Sequence, residues 1–182
     1  MRITPIEKED KTGRIITLRN AEISDADNLI TYMKITSFET PFLLREPDEF
    51  HLTSEQEECF IQNTIDNPRE LMLLATADGC HIGNCSLSGA DPFKRYQHRC
   101  QIAIALYQKY WGCGIGQMML STILSVAREL GYEQAELEVM SSNKSAIALY
   151  EKLGFKRYGL FPNNMKYSDG SCDDAFWMMK RL

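Results

Sequence analysis

A glycine-rich segment in the middle of the chain constrains the fold more than any other feature of the sequence. It covers residues 110–116, with glycines at Gly112, Gly114 and Gly116, and it separates a predicted strand from a predicted helix. At the N-terminus of a helix, backbone amides and the helix dipole favour a bound anion. Glycines also let a phosphate approach the main chain closely. The segment therefore predicts a strand–turn–helix unit, which either binds a phosphate or uses its glycines only for turn geometry.

Two familiar phosphate-binding patterns do not match this turn. The dinucleotide-binding pattern has the spacing G-x-G-x-x-G in the first strand–helix unit of a domain, whereas this turn has G-x-G-x-G and begins only at residue 110. The Walker pattern requires Lys and then Ser or Thr after its last glycine, where this chain has Gln117 and Met118. A dinucleotide-dependent enzyme, a kinase or an NTPase is therefore disfavoured.

The order of elements around the turn predicts a mixed α/β (α+β) fold. Apolar residues at helical spacing, with capping signals, predict helices at about 24–36, 53–66, 116–130 and 143–153. In the second of these helices, Phe60, Ile61 and Ile65 are predicted to face the core. Alternating or β-branched apolar residues predict strands at 14–18, 71–77, 82–87, 101–106, 135–139, 155–160 and 175–180. The Asp78-Gly79 dipeptide predicts a tight antiparallel hairpin.

Length and composition predict a single domain over 1–182, with a core at about 14–182 and a flexible N-terminal segment at 1–13. The 182 residues, 44% of them hydrophobic, suffice for one core but are few for two. The formal net charge is -5 and no basic stripe is present, so nucleic acid is not an expected partner. No apolar stretch suits a signal peptide or a bilayer span, so no membrane association is expected.

The six cysteines are scattered and lack a C-x-x-C spacing. This pattern predicts neither a zinc site nor a disulfide framework. We therefore expect no metal and a reducing, cytoplasmic location.

Taken with two later segments, the turn resembles the GNAT superfamily of N-acetyltransferases. The motif N-x-x-A-x-x-x-Y-x-x-x-G-F falls on Asn143, Ala146, Tyr150, Gly154 and Phe155. The segment 169–178 resembles the closing D-G-x-x-x-D-x-x-x-M strand of many such acetyltransferases, including ribosomal-protein-alanine and polyamine types. The resemblance implies a central mixed sheet of six to seven strands with about four helices, in which splayed strands form an acetyl-CoA cleft.

The resemblance also implies where acetyl-CoA, the cosubstrate, binds. The family's turn has the form Arg/Gln-x-x-Gly-x-Gly/Ala and grips the pyrophosphate, which places Gly114 and Gly116 at its glycines and Trp111 where Arg or Gln is expected. Backbone groups of the strand before the turn would bind the pantetheine arm. The implied cofactor-binding residues are Ile104, Ala105, Leu106, Trp111, Gly112, Cys113, Gly114, Ile115, Gly116, Gln117, Asn143, Ala146 and Tyr150.

By the same resemblance, a neutral primary amine attacks the thioester directly in a ternary complex. Tyr150 is implied as the general acid for the leaving thiolate, although it could be a packed aromatic residue only. Asn143 could bind pantetheine, cap its helix, or do both. The family often has a Glu near residue 101, where this chain has Gln101.

The general base is therefore open. Glu39 could orient a cationic amine and His98 could relay a proton, but both residues also fit ordinary surface positions, and a water chain could carry the proton equally well.

The acceptor amine is expected to belong to a small molecule such as a polyamine, or to a protein N-terminus. The alternative function is a catalytically silent module that binds acetyl-CoA as a sensor. Gln101 favours the sensor, whereas Tyr150 favours the enzyme. A homodimer is an expectation from the family.

Overall fold

The computed structural model describes all 182 residues and contains eight strands and four α-helices. The helices are α1 (Ala26–Glu39), α2 (Ser54–Asp66), α3 (Ile115–Glu129) and α4 (Lys144–Lys152). The strands are β1 (Ile6–Glu9), β2 (Ile15–Asn20), β3 (Leu71–Ala77), β4 (Cys80–Gly89), β5 (Arg99–Leu106), β6 (Gln134–Met140), β7 (Lys156–Lys166) and β8 (Cys172–Arg181). They form one mixed sheet in the order β1-β2-β3-β4-β5-β6-β8-β7. The predicted fold class is confirmed, with one strand more than expected.

The chain divides into two compact units. The first comprises Met1–Ser88 and Ala103–Ile123, and the second comprises Gly89–Ile102 and Leu124–Leu182. The glycine-rich turn therefore belongs to the first unit, and α4 belongs to the second.

The additional strand lies in the N-terminal segment, for which the sequence predicts flexibility. β1 pairs antiparallel with β2, from Ile6 opposite Leu18 to Glu9 opposite Ile15. The N-terminal ammonium donates hydrogen bonds to carbonyl oxygens of residues 65 and 67, both at 2.6 Å. Most of residues 1–13 are exposed, so no apolar alternation reveals this strand in the sequence. Its order comes from backbone pairing with β2.

Helices α1 and α2 cover a core built on β3 in the first unit. Buried Leu29, Tyr32 and Ile61 pack with Met72 and Leu74 of β3. Phe60 is 56% exposed, which corrects its predicted inward position. The buried residues of α2 are Glu57, Ile61 and Thr64, a stripe at helical spacing. Phe60 lies at the edge of this stripe, about 40° from Thr64 and about 100° from Ile61.

The second unit is organised around β8. It pairs antiparallel with β6, from Gln134 opposite Arg181 to Met140 opposite Ala175, and with β7 on its other side. Helix α4 follows β6 directly, so the end of β6 determines where that helix starts.

Candidate functional site

The glycine-rich turn has the backbone geometry of an anion-binding helix start. Gly112 and Gly114 adopt φ values of 76° and 89°, a left-handed region that other L-residues rarely adopt. Met118 N donates to the Gly114 carbonyl at 3.1 Å. The amides of Ile115 and Gly116 therefore precede the first hydrogen bond of α3 and have no acceptor within the helix. This arrangement suits a phosphate group.

Trp111 holds the turn against the end of β5. Its indole Nε1–H donates to the Leu106 carbonyl at 2.9 Å, and the residue remains 43% exposed. The sequence identifies Trp111 only as a departure from the Arg or Gln of the family pattern. In the structure, the Trp111 side chain bridges the stretch between β5 and the turn, and the Leu106 carbonyl oxygen accepts its hydrogen bond.

Glu39 anchors the same segment from the end of α1. Its Oε2 accepts a hydrogen bond from the backbone amide of Gln108 at 2.6 Å, two residues after β5 ends. Burial and then the nearby Glu39 carboxylate raise the pKa of Tyr107. The structure therefore brings Glu39 to the end of β5, where one of its oxygens has a positioning role.

An aromatic cluster that the sequence analysis missed lies beside the end of β5. The Tyr32 ring centroid is 4.5 Å from that of His81 and 5.1 Å from that of Tyr107. The Tyr32 hydroxyl accepts a hydrogen bond from the backbone amide of Asn84 at 3.3 Å. Burial raises the pKa of Tyr32 and lowers that of His81, which keeps both side chains neutral near pH 7. No local sequence signal joins these residues, because they come from three separate elements.

The pairing of β5 with β6 lies at one end of both strands. It runs in parallel from Arg99 to Gln101, opposite Gln134 to Glu136. Arg99 and Glu136 form an ion pair at 2.5 Å there, and the bond from Arg99 lowers the pKa of Glu136. Ile104, Ala105 and Leu106 therefore lie beyond this paired stretch, at the end of β5 that leads into the turn.

His98 lies at the opposite end of β5 from the turn. Its backbone carbonyl accepts from the amides of Glu133 and Gln134 at 2.8 and 3.1 Å, and its side chain is exposed. From His98 to Ile104 the extended chain spans about 20 Å. His98 and the glycine-rich turn therefore lie at opposite ends of β5.

Helix α4 presents the second motif. Asn143 Oδ1 accepts from the Ala146 amide at 3.2 Å, so Asn143 caps the helix, as one of its two predicted roles requires. Tyr150 is 7% exposed, and its ring centroid lies 5.9 Å from that of Phe155. Asn143, Ala146 and Tyr150 are spaced for a single face of α4.

Asp173 of β8 holds the loop that leads into α4. Its carboxylate accepts from Ser141 Oγ at 2.8 Å and from Ser142 Oγ. Burial would raise the pKa of Asp173, but these hydrogen bonds outweigh it and hold the pKa below its usual range. The start of α4 is therefore positioned by a buried, ionised carboxylate, another contact that the sequence analysis missed.

The other residues of the turn have backbone roles. The Cys113 carbonyl accepts from the Lys11 amide at 3.0 Å, and Cys113 Sγ lies 3.5 Å from the Trp111 carbonyl. Gln117 is half-buried in the first turn of α3.

No group of three or more His, Cys, Asp or Glu side chains is arranged to hold a metal ion. None of the helices has the length and apolar character that a membrane span requires.

Comparison with known proteins gives consistent matches. A family model described as the acetyltransferase (GNAT) family matches residues 35–155. The N-alpha-acetyltransferase of Saccharolobus solfataricus is 29% identical over 97% of this chain and 99% of its own length. A GNAT-family acetyltransferase from Streptococcus pneumoniae is 29% identical, with a TM-score of 0.87 over 92% of this chain and 99% of its own. A phosphinothricin acetyltransferase from Sinorhizobium meliloti, solved in complex with acetyl-CoA, is 22% identical with a TM-score of 0.81, covering 92% and 88% of the two chains.

Proposed function

Because this chain belongs to the acetyltransferase (GNAT) family and is an N-acetyltransferase, we propose that it moves the acetyl group of acetyl-CoA onto a primary amine by direct attack in a ternary complex. The observation that carries the proposal is the turn before α3. Two left-handed glycines there lead into helix amides that have no intrahelical acceptor. A Cβ atom on Gly114 would lie 3.3 Å from the Lys11 side chain, so the turn accepts no larger residue without adjustment. These features fit a pyrophosphate.

The turn and the end of β5 bind and orient the donor. The amides of Ile115 and Gly116 hold the pyrophosphate, and backbone groups of Ile104 to Leu106 align the pantetheine arm. The Trp111 side chain fixes the distance between these two parts, since it joins the turn to Leu106. Such positioning accelerates the reaction by holding the two reactants in an attack geometry.

Tyr150 supplies the proton that the departing sulfur requires. The amine nitrogen forms a bond to the acetyl carbon, the carbon–sulfur bond breaks, and the sulfur takes the phenolic proton. Tyr150 is buried, and its ring packs beside that of Phe155. Gln101 cannot act as a base, so the proton that the amine loses goes to water, and water returns a proton to the Tyr150 phenolate.

Glu39 orients the incoming amine. One carboxylate oxygen holds the Gln108 amide, which keeps the other near the end of β5. An anion at this point attracts a cationic amine before it loses its proton. We propose a protein N-terminus as the acceptor, with support from the relative that matches over nearly the whole chain and is named as an N-alpha-acetyltransferase.

The test is a calorimetric titration with acetyl-CoA, followed by thiol release with three acceptors. These are a peptide with a free N-terminus, the same peptide with a blocked N-terminus, and spermidine. We expect binding, and release only with the free peptide. Release with spermidine alone would make the acceptor a polyamine. Binding without release from any acceptor would indicate a silent acetyl-CoA sensor, and absence of binding would overturn the proposal.

A further inference from the structure

The β1–β2 hairpin contacts the glycine-rich turn directly. The Lys11 amide donates to the Cys113 carbonyl at 3.0 Å. The Lys11 methylenes cover Gly114, since a Cβ atom there would lie 3.3 Å from Lys11 Cγ and 3.5 Å from Cε. The Arg14 guanidinium lies 5.0 Å from the ring centroid of Tyr110, the first residue of the turn. The hairpin and the turn therefore form one surface.

The tip of the hairpin is rigid. Asp10 Oδ1 accepts from the Thr12 amide at 2.8 Å, from Thr12 Oγ1 at 2.6 Å and from the Arg14 amide at 3.0 Å. The bond from Thr12 is the main cause that holds the pKa of Asp10 below its usual range, so the carboxylate stays ionised. Gly13 completes the tip with φ at 83°. The Lys11 backbone is therefore held in place before any ligand binds.

The Lys11 ammonium has no anionic partner in the protein. The salt bridges join Arg14 to Asp10, Arg19 to Asp25, Arg99 to Glu136 and Arg157 to Glu151. The side chain instead lies across Gly114, with its Cε beside the start of α3. A cation in this position adds to the positive potential of the helix start, which makes the place more favourable for an anion.

We propose that Lys11 binds the pyrophosphate of acetyl-CoA and supplies the charge that Trp111 lacks at the turn. Trp111 is uncharged, and its N–H is already used by Leu106. Lys11 reaches the same turn from the connection between β1 and β2, outside the segment that contains the glycines. The inference takes its ligand from the proposed function, and it adds the N-terminal hairpin to the binding site.

The test compares three variants in titrations with acetyl-CoA and with acetyl-dephospho-CoA, which lacks the 3′-phosphate. Lys11→Met keeps the methylene stem but removes the charge. Lys11→Arg keeps the charge. Lys8→Met removes an exposed charge from β1 of the same hairpin and serves as the matched control. We expect Lys11→Met to weaken binding of both ligands by about three- to tenfold, the range of a partly exposed charge-assisted contact, while the other two variants bind as the wild type does.

The outcomes separate this inference from the proposed function. Wild-type affinity in Lys11→Met would overturn the role of Lys11 alone, as would an equal loss in Lys8→Met. A loss with acetyl-CoA that disappears with acetyl-dephospho-CoA would move the contact to the 3′-phosphate and overturn the pyrophosphate assignment. If the wild type binds neither ligand, both proposals fail.

Discussion

Tyr150 shows how one residue can have a packing role and a chemical role together. Its ring is buried against Phe155, which satisfies the structural explanation that the sequence leaves open. Burial of the ring does not remove the hydroxyl from the chemistry, because the ring and the hydroxyl are separate ends of the side chain. A substitution that removes only the oxygen can separate the two roles.

We expect Tyr150→Phe to lower turnover by about 100-fold while acetyl-CoA affinity stays within about twofold, because a general acid acts only in the transition state. Steady-state kinetics and calorimetry on the same sample measure the two quantities. Tyr158→Phe, at a tyrosine that is 53% exposed in β7, is the control and should keep wild-type turnover. Unchanged turnover in Tyr150→Phe would remove this residue from the mechanism.

At the level of elements, the turn is defined by what holds it from three sides. Trp111 joins it to β5, the Lys11 amide joins it to the β1–β2 hairpin, and α3 continues from it. The glycines allow this arrangement, because Gly112 and Gly114 lie in the left-handed region. A side chain at Gly114 would meet both a backbone cost and a steric cost.

We expect Gly114→Ala to weaken acetyl-CoA binding by about tenfold and to lower the free energy of unfolding by about 1–2 kcal/mol, because alanine is strained at a φ of 89° and the Lys11 side chain must move away from the new Cβ. Gly131→Ala is the control. Its φ is 78° and nothing lies within 4 Å of its Cβ position, so it carries similar strain outside the turn. Both variants should lose stability, and only Gly114→Ala should lose affinity in calorimetry. Equal affinities would refute the assignment of the turn to the pyrophosphate.

Some ionisable groups in the interior of the molecule have charged partners, whereas one ring nitrogen of His81 has no hydrogen-bond partner. Arg19 pairs with Asp25 at 2.7 Å, and Glu136 pairs with Arg99. His81 Nε2 donates to the Gly83 carbonyl at 3.0 Å, but its Nδ1 is buried without a hydrogen-bond partner. Protonation of this imidazole would therefore place an unsatisfied donor and a charge inside the fold.

This difference predicts a pH dependence of stability. Burial lowers the pKa of His81, although the Gly83 carbonyl and Asp25 oppose the shift and Arg19 adds to it. Histidine in the unfolded chain has a pKa of about 6.5, so the unfolded state binds the proton more readily. The contribution of His81 to stability is complete above that value and is lost as the pH falls through the lower folded pKa.

The measurement is the urea midpoint at pH 7.5 and at pH 5.5. We expect a lower midpoint at pH 5.5 in the wild type and a smaller difference in His81→Gln, since glutamine does not titrate. His98→Gln, which removes an exposed imidazole, should keep the wild-type difference. An unchanged difference in His81→Gln would assign the pH dependence to other groups.

Local sequence patterns are enough to predict the helices, seven of the strands and the positions of the motifs. Met119, Ile123 and Ala127 are spaced for one face of α3, and all three are buried. The Asp78-Gly79 hairpin has the expected positive φ values of 51° and 76°. These features are local, because the side-chain period and turn chemistry are properties of neighbouring residues.

Which distant residues meet at the turn depends on tertiary packing. Nothing near Trp111 in the sequence indicates its bond to Leu106, and β1 exists through its pairing with β2. Glu39 and His98 are equally plausible candidates in the sequence. In the structure, Glu39 reaches the end of β5, whereas His98 lies at the start of that strand. Sheet order and strand direction separate them. Both depend on packing between segments far apart in the chain, which no local pattern contains.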